Sequence, residues 1–302
     1  MLIWGGPSFA ILPLARLLGV DGNLRNGELI AHDWVLDARL LNSDTIALVT
    51  AHNTFITYSL TMNSFQQRFN CEEQSLLYAA QIHINPDNIL VATGTVFNEI
   101  QLWRPTMSSS GKVSSSVVPI AQRLRGHEGC IFSLRFNADC TLLASCSDDR
   151  TIRVWDVNKG TFIAIGFAHI ARVWDVQFLP TPRSEGIYLL SASEDTTALL
   201  WHLDPSERTL KVRERYQGHS GKHVWSEAIS SNGRLAATGG NDGGVNLWDV
   251  GGWKDRLGPA ASEVCWTEQT PKALVDGKPC FDTIKGYRCI DSNRLLVTTN
   301  SG

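Results

Sequence analysis

The sequence predicts an all-β protein made by repeating one small antiparallel sheet, and three observations carry that expectation. First, "LASCSDDRTIRVWDV" (143–157), "LSASEDTTALLWHL" (190–203) and "AATGGNDGGVNLWDV" (236–250) align as an apolar strand, an acidic turn and a second strand reaching a tryptophan. Second, the spacing is constant: Asp149 precedes Trp155, Asp195 precedes Trp201 and Asp242 precedes Trp248 by six residues each. Third, a Gly-His or Ala-His pair (Gly126-His127, Ala168-His169, Gly218-His219) lies 22, 26 and 23 residues before each aspartate, and the tryptophans are 46 and 47 apart. A self-similar period in the forties outranks any single motif.

That period, with Gly-His near the start of a copy and tryptophan at its end, is the signature of WD repeats, each forming a four-stranded blade of a β-propeller. The expected fold is an all-β WD-repeat β-propeller over 1–302, with six to seven four-stranded blades and incomplete terminal ones. The clearest repeats are 117–157, 158–203 and 210–250. Weaker copies are "TIALVTAHNTFITYSL" (45–60), with Tyr58 for tryptophan, and "ILVATGTVFNEIQLWRP" (89–105), with Phe97 for aspartate. "YRCIDSNRLLVTTNSG" (287–302) reads as two strands of a further blade. "TMSSSGKVSSS" (106–116) reads as a flexible surface loop and 251–279 as a second long connection.

The opening "MLIWGGPSFAILPLARLLGV" is apolar but lacks the basic start of a signal peptide, and Gly5-Gly6-Pro7 and Pro13 disfavour a membrane helix. It reads as strands Leu2–Trp4 and Ser8–Leu12 around a Gly-Gly-Pro turn, a start in mid-sheet, without membrane anchorage. Composition agrees with a packed protein: 43% hydrophobic, 19% charged, ten tryptophans. The net charge of −3 argues against a nucleic-acid binder relying on a general basic surface. Seven cysteines (Cys71, Cys130, Cys140, Cys146, Cys265, Cys280, Cys289), odd in number and without Cys-x-x-Cys, read as buried reduced thiols, which places the chain in the cytoplasm.

Asp148 and Asp149 in "SCSDDRTIRVWDV" pose the choice between chemistry and architecture. In a blade, the loop histidine, a hydroxyl on the second strand, the turn aspartate and the third-strand tryptophan meet, so that each buried polar group finds a partner. The expected tetrads are His127, Ser145, Asp149, Trp155; His169, Ser191, Asp195, Trp201; and His219, Thr238, Asp242, Trp248. A set repeated three times is a fold device, whereas a catalytic site occurs once. Asp148 is then a solvated neighbour, and the two weaker copies, lacking the set, are expected to rely on packing. No phosphate loop, dinucleotide fingerprint, zinc motif or nucleophile elbow is present in the sequence, so no catalytic residue, cofactor or metal is expected.

A partner is expected instead on the rim where the strand after each histidine begins. Phe132, Trp174 and Trp225 hold equivalent positions there, with Cys130, Arg172 and His223 two residues earlier. Trp and Arg dominate binding hot spots, which makes Phe132, Arg172, Trp174, His223 and Trp225 the candidate partner-binding set, although such aromatics also pack between blades.

Several stretches are more specific. "HDWVLDARLL", "VATGTVFNEIQLWRP", "LRGHEGCIFSLRF", "AHIARVWDVQFL" and "GHSGKHVWSEAI", in that order, resemble the first propeller of the WD repeat-containing protein 6 family, with His169 to Trp174 the most distinctive piece. That family comprises accessory subunits of a eukaryotic tRNA 2′-O-methyltransferase, and its members are longer, with further propellers. The resemblance implies the N-terminal part of a multi-propeller scaffold that binds an FtsJ-like methyltransferase and supports wobble-ribose methylation, meeting tRNA indirectly or through the complex. The alternative is a generic WD-repeat scaffold in signalling, trafficking or ubiquitin-ligase assembly.

Overall fold

The computed structural model describes residues 2–5, 8–11, 29–30, 33–85, 88–107, 114–221, 223–251, 266–269, 272–275, 278–281, 284–291 and 294–299, with side chains described within 33–251. It divides into two compact units, Met1–Gly126 and His127–Gly302.

The first unit opens with an antiparallel three-stranded sheet of β1 (Leu2–Gly5), β2 (Ser8–Ile11) and β3 (Leu29–Ile30), with Leu2 opposite Ile11. The turn expected between the first two strands lies outside the described residues. The second sheet contains β4 (Val35–Leu40), β5 (Thr45–Thr50), β6 (Thr54–Ser59) and β7 (Ser64–Cys71). "TFITYS" is buried at all six positions of β6, because a middle strand packed on both faces suits β-branched and aromatic side chains. The third sheet contains β8 (Leu77–Asn85), β9 (Asn88–Thr95), β10 (Glu99–Trp103) and β12 (Ile120–Arg125). Between them β11 (Ser114–Val118) adds a fifth, parallel strand to the edge of β7, Ser114 opposite Gln67. The loop expected over 106–116 therefore ends early: residues 114–116 already pair with the sheet.

The second unit holds β13 (Ile131–Phe136), β14 (Leu142–Ser147), β15 (Thr151–Asp156) and β16 (Thr161–Phe167), then β17 (Val173–Phe178), β18 (Tyr188–Ser193), β19 (Thr197–Asp204) and β20 (Thr209–Gln217). These two four-stranded sheets are joined edge to edge by one parallel pair, Ile165 with Thr209. β21 (Val224–Ile229), β22 (Leu235–Gly240), β23 (Gly244–Asp249) and β24 (Trp266–Gln269) form the next sheet. Hairpins β25 (Lys272–Val275)–β26 (Lys278–Phe281) and β27 (Ile284–Asp291)–β28 (Arg294–Thr299) follow. The connection expected over 251–279 thus carries strands. First strands lie side by side, β13 by β17, β17 by β21 and β21 by β27.

Sequence repeat and sheet are one strand out of phase. The copy at 210–250 starts on β20, which pairs with β19, and only then enters β21–β23. Each repeat therefore begins in one sheet and ends in the next, a covalent reason for neighbouring blades to stay together.

Packing adds another. Trp103 is buried among Ala47, Val49, Phe55 and Phe69 of the preceding sheet. Trp201 sits among Ala144, Val154 and Ala164, and Trp248 among Leu190, Leu200 and Tyr216, again one sheet back. Burying a side chain of this size gains about 4–6 kcal/mol before entropy. A Cβ on Gly166 would lie 2.8 Å from the Trp201 ring, so glycine clears that indole's seat.

The second-to-third strand turns also repeat. The fourth turn residue has a left-handed backbone in every case: Asn53 (φ 57°), Asn98 (63°), Arg150 (69°), Thr196 (71°) and Gly243 (68°). Cys140 (φ 56°) likewise sits in a turn and not in a strand. Cys71, Cys130, Cys140 and Cys146 are free thiols.

Candidate functional site

The structure brings the residues of each expected tetrad together. His127 Nδ1 donates to Asp149 Oδ2 (2.7 Å), His127 Nε2 accepts from Ser145 Oγ (2.8 Å), and Trp155 Nε1 donates to the same hydroxyl (2.9 Å). The second set repeats this with His169 to Asp195, Ser191 to His169 and Trp201 to Ser191, all at 2.8 Å. The third has His219 to Asp242 at 3.1 Å, Thr238 to His219 at 2.8 Å and Trp248 to Thr238 at 2.8 Å.

Each aspartate is also a turn cap. Asp149 accepts from the Glu128 and Thr151 amides, and Asp195 from those of Ile170 and Thr197. Burial opposes the Asp149 charge, but hydrogen bonds from His127, Thr151 and the Glu128 amide outweigh it and hold the carboxyl well below its usual range. The same balance brings Asp195 and Asp242 down to about 2. Burial pushes the His127 imidazole down, offset only partly by Asp149. An ionised carboxylate thus faces a neutral imidazole, and their hydrogen-bonding atoms serve one another.

The two sheets without a tetrad hold their ends differently. In the first, the polarity is exchanged: His52 occupies the turn position and its Nδ1 lies 3.1 Å from Asp33. Burial raises the Asp33 carboxyl, but hydrogen bonds from Thr50 and His52 prevail and hold it below its ordinary value. In the second, Asn53 donates to Gln101, Gln101 to Glu73, and Arg123 to Glu73 and Glu99, at 2.7–2.9 Å. Packing alone is therefore not what closes these sheets; other polar contacts replace the tetrad, with Glu73 standing four residues before its first strand as His127 and His169 stand before theirs.

The expected rim set forms an aromatic stack. Trp174 lies between Phe132 (4.5 Å between ring centres) and Trp225 (4.6 Å), and His223 stacks on Trp225 at 4.7 Å and 9°. All four rings are half-buried. His223 has a left-handed backbone (φ 66°), and its carbonyl accepts from Asn241 (3.1 Å). A Cβ on Gly240 would stand 2.6 Å from that carbonyl, so only glycine admits it. Trp174 Nε1 and His223 Nδ1 are buried without a hydrogen-bond partner. Such a strained residue beside unspent polar atoms is the usual mark of a functional surface.

Arg172, 51% exposed, stands at the edge of the stack. Its Nε pairs with Asp148 at 2.5 Å and lies 3.7 Å from Glu194. Asp148 is therefore not merely solvated; it positions Arg172. Glu194 precedes Asp195 as Asp148 precedes Asp149, a recurrence visible in the sequence. Glu227 gave no such signal. It is buried on β21, where the Gln177 amide approaches its carboxyl but neither oxygen makes a well-formed hydrogen bond. Burial first, then the Asp175 charge, drives its carboxyl well above the ordinary value. Among the described residues no cluster of His, Cys, Asp and Glu could hold a metal, and no helix is long and apolar enough to cross a membrane.

Comparison with known proteins agrees with this architecture. The WD domain, G-beta repeat family matches residues 119–156 and 210–249. The intervening copy, with Ala168 and Trp201-His202, is not matched, yet its hydrogen bonds are the same. The chain is 29% identical to the human tRNA (34-2'-O)-methyltransferase regulator WDR6 over 286 residues, 92% of this chain and 23% of that protein. The Bos taurus protein of that name is 32% identical over 236 residues (76% and 20%), and the Drosophila melanogaster one 26% over 245 (72% and 24%). The chain thus spans about a fifth to a quarter of the length of these relatives. It is a WD-repeat protein that resembles, over most of its length, the regulators of tRNA (34-2'-O)-methyltransferase.

Proposed function

We infer that the chain belongs to a non-catalytic, cytoplasmic accessory subunit that binds an FtsJ-like methyltransferase and supports 2′-O-methylation of the tRNA wobble nucleotide. The observation that carries this reading is the similarity to proteins named as regulators of that methylation, across 92% of the chain. Two physical features support it. The tetrad carboxylates and imidazoles are committed to one another, which suits a scaffold better than a reagent. The aromatic stack with Arg172 at its edge offers the residue types that anchor protein partners. With a net charge of −3, tRNA is met through the complex and not by this chain alone.

The test is co-purification of the protein carrying this chain with an FtsJ-like enzyme, together with nucleoside analysis of tRNA from cells lacking the gene. Loss of wobble-ribose methylation is expected; normal methylation after deletion overturns the reading and leaves a general WD-repeat scaffold. Within the complex, Arg172→Ala should weaken enzyme binding while melting stays unchanged. Asp149→Ala, which strands a buried histidine, should cost about 1–3 kcal/mol of stability and leave the rim chemically intact. The opposite pattern would mean that the two roles are exchanged.

A further inference from the structure

Among the large apolar side chains of the first unit that face solvent, four lie on neighbouring segments: Trp34 is 66% exposed, Leu76 44%, Tyr78 53% and Phe97 71%. They belong to three separate loop or strand-start segments, but the backbone ties those segments into one edge. Ala51 N–H donates to the Trp34 carbonyl (2.8 Å), Leu77 N–H to the Ala51 carbonyl (2.9 Å), and Val96 N–H to the Leu76 carbonyl (3.2 Å). Phe97 follows Val96 directly. Its position is the one that Asp149, Asp195 and Asp242 hold in the other unit, where the side chain turns inward to a histidine. Here the Asn53–Gln101–Glu73–Arg123 network closes the sheet end, so the turn position is released from that duty and carries an exposed phenylalanine.

Burying none of these four side chains leaves an apolar, mostly aromatic edge of the kind that monomers rarely expose without a partner. The charges beside it choose the partner. Asp33 precedes Trp34, and Glu72 and Glu73 precede Leu76 on the same stretch, their side chains 20%, 40% and 46% exposed; Arg123 pairs with both glutamates. With Glu99 and Arg125, which join the same network, four carboxylates stand against two guanidinium groups and leave the border negative. Phosphate-rich surfaces are repelled by such a border, and cationic ones are drawn to it.

We propose that the edge formed by Trp34, Leu76, Tyr78 and Phe97 is a second docking surface, separate in residues from the aromatic stack, and that its occupant is a protein segment presenting apolar anchors flanked by lysine or arginine. The anchors cover the aromatic side chains, and the basic flanks meet Asp33, Glu72 and Glu73.

The probe is a random peptide library displayed on phage, panned on the full chain and counter-selected on a Trp34→Ser/Phe97→Ser variant. Recovered peptides, labelled and titrated by fluorescence anisotropy, should combine apolar residues with adjacent Lys or Arg. Their affinity should fall at least about tenfold in Phe97→Ser and in Leu76→Ser, and should be unchanged in Phe167→Ser. Phe167 is equally exposed, at 72%, but lies on β16 of the other unit. Thermal melting of each variant is measured alongside, and the exposed side chains should leave it unmoved. The proposal is overturned if no peptide separates wild type from variant, or if the selected flanks are acidic. It also fails if the residues instead mediate binding of a single-stranded RNA oligonucleotide or of phosphatidylserine vesicles. A dimer that dissociates on Phe97→Ser would assign the edge to a second copy of the chain and equally sink the proposal.

Discussion

Glu227 occupies the register position that Leu134 and Val176 hold on the neighbouring first strands, each opposite the tetrad hydroxyl of its own sheet. A carboxyl there, buried near the Asp175 charge and approached by the Gln177 amide without a well-formed hydrogen bond, opposes folding at neutral pH. Because its folded pKa is raised, its contribution is most favourable below about 4.5, its ordinary value, and is lost as pH rises toward the folded one. Glu227→Leu should therefore stabilise the protein by about 1–3 kcal/mol near pH 7, a gain that shrinks on acidification. Urea unfolding at the two pH values measures it; a destabilised variant at pH 7 would show that the carboxyl is needed where it is. Nothing in "HVWSEAI" announces this residue, since alternation along a strand does not reveal that both faces are covered.

At the scale of elements, the second-to-third strand turn is the repeated unit of strain. A left-handed backbone suits asparagine or glycine, and the turns with Asn53, Asn98 and Gly243 comply. Thr196, β-branched at φ 71°, does not. Thr196→Asn is expected to raise stability by about 0.5–1 kcal/mol with no change in partner binding. A shift of the denaturation midpoint to higher urea at constant slope is the signature; a lower midpoint would show that Thr196 makes a contact worth more than the strain. The strands themselves were legible because Trp155, Trp201 and Trp248 recur at one distance from the acidic turns. The fifth strand β11 was not, since "SSSVV" carries no strand pattern and pairs only because the edge of β7 is open to it. Likewise, the shared position of Phe132, Trp174 and Trp225 could be read from the chain. Their stacking could not, because it joins side chains 42 and 51 residues apart on three separate strands.

At the scale of the whole molecule, the tetrads make acid stability a sum over sheets. Asp195 and Asp242 hold their folded pKa near 2, against about 4 in an open chain, so their contribution is complete above about pH 4 and is lost as pH falls toward 2. His127 has a lowered folded value, so its contribution is complete above about 6.5 and declines below it. The melting temperature should thus fall in two stages on acidification, and an Asp195→Asn/Asp242→Asn double variant should show a smaller lower stage, the remainder coming from Asp149 and Asp33. A melting curve flat between pH 4 and 3 would contradict the assigned charges. The residues of each tetrad were legible because each fills one recurring position. The network around Arg123 was not, because Glu73 stands where the other copies have the tetrad histidine, and nothing in the sequence shows that it meets Asn53, Gln101 and Arg123.

The indole N–H groups of Trp155, Trp201 and Trp248 each donate to a fully enclosed hydroxyl, one in each of three sheets. Deuterium can replace such a proton only when its own sheet comes apart, so three resolved resonances would act as separate clocks. Timed in one sample, they would rank the sheets by opening frequency and show directly which part of the protein loosens first.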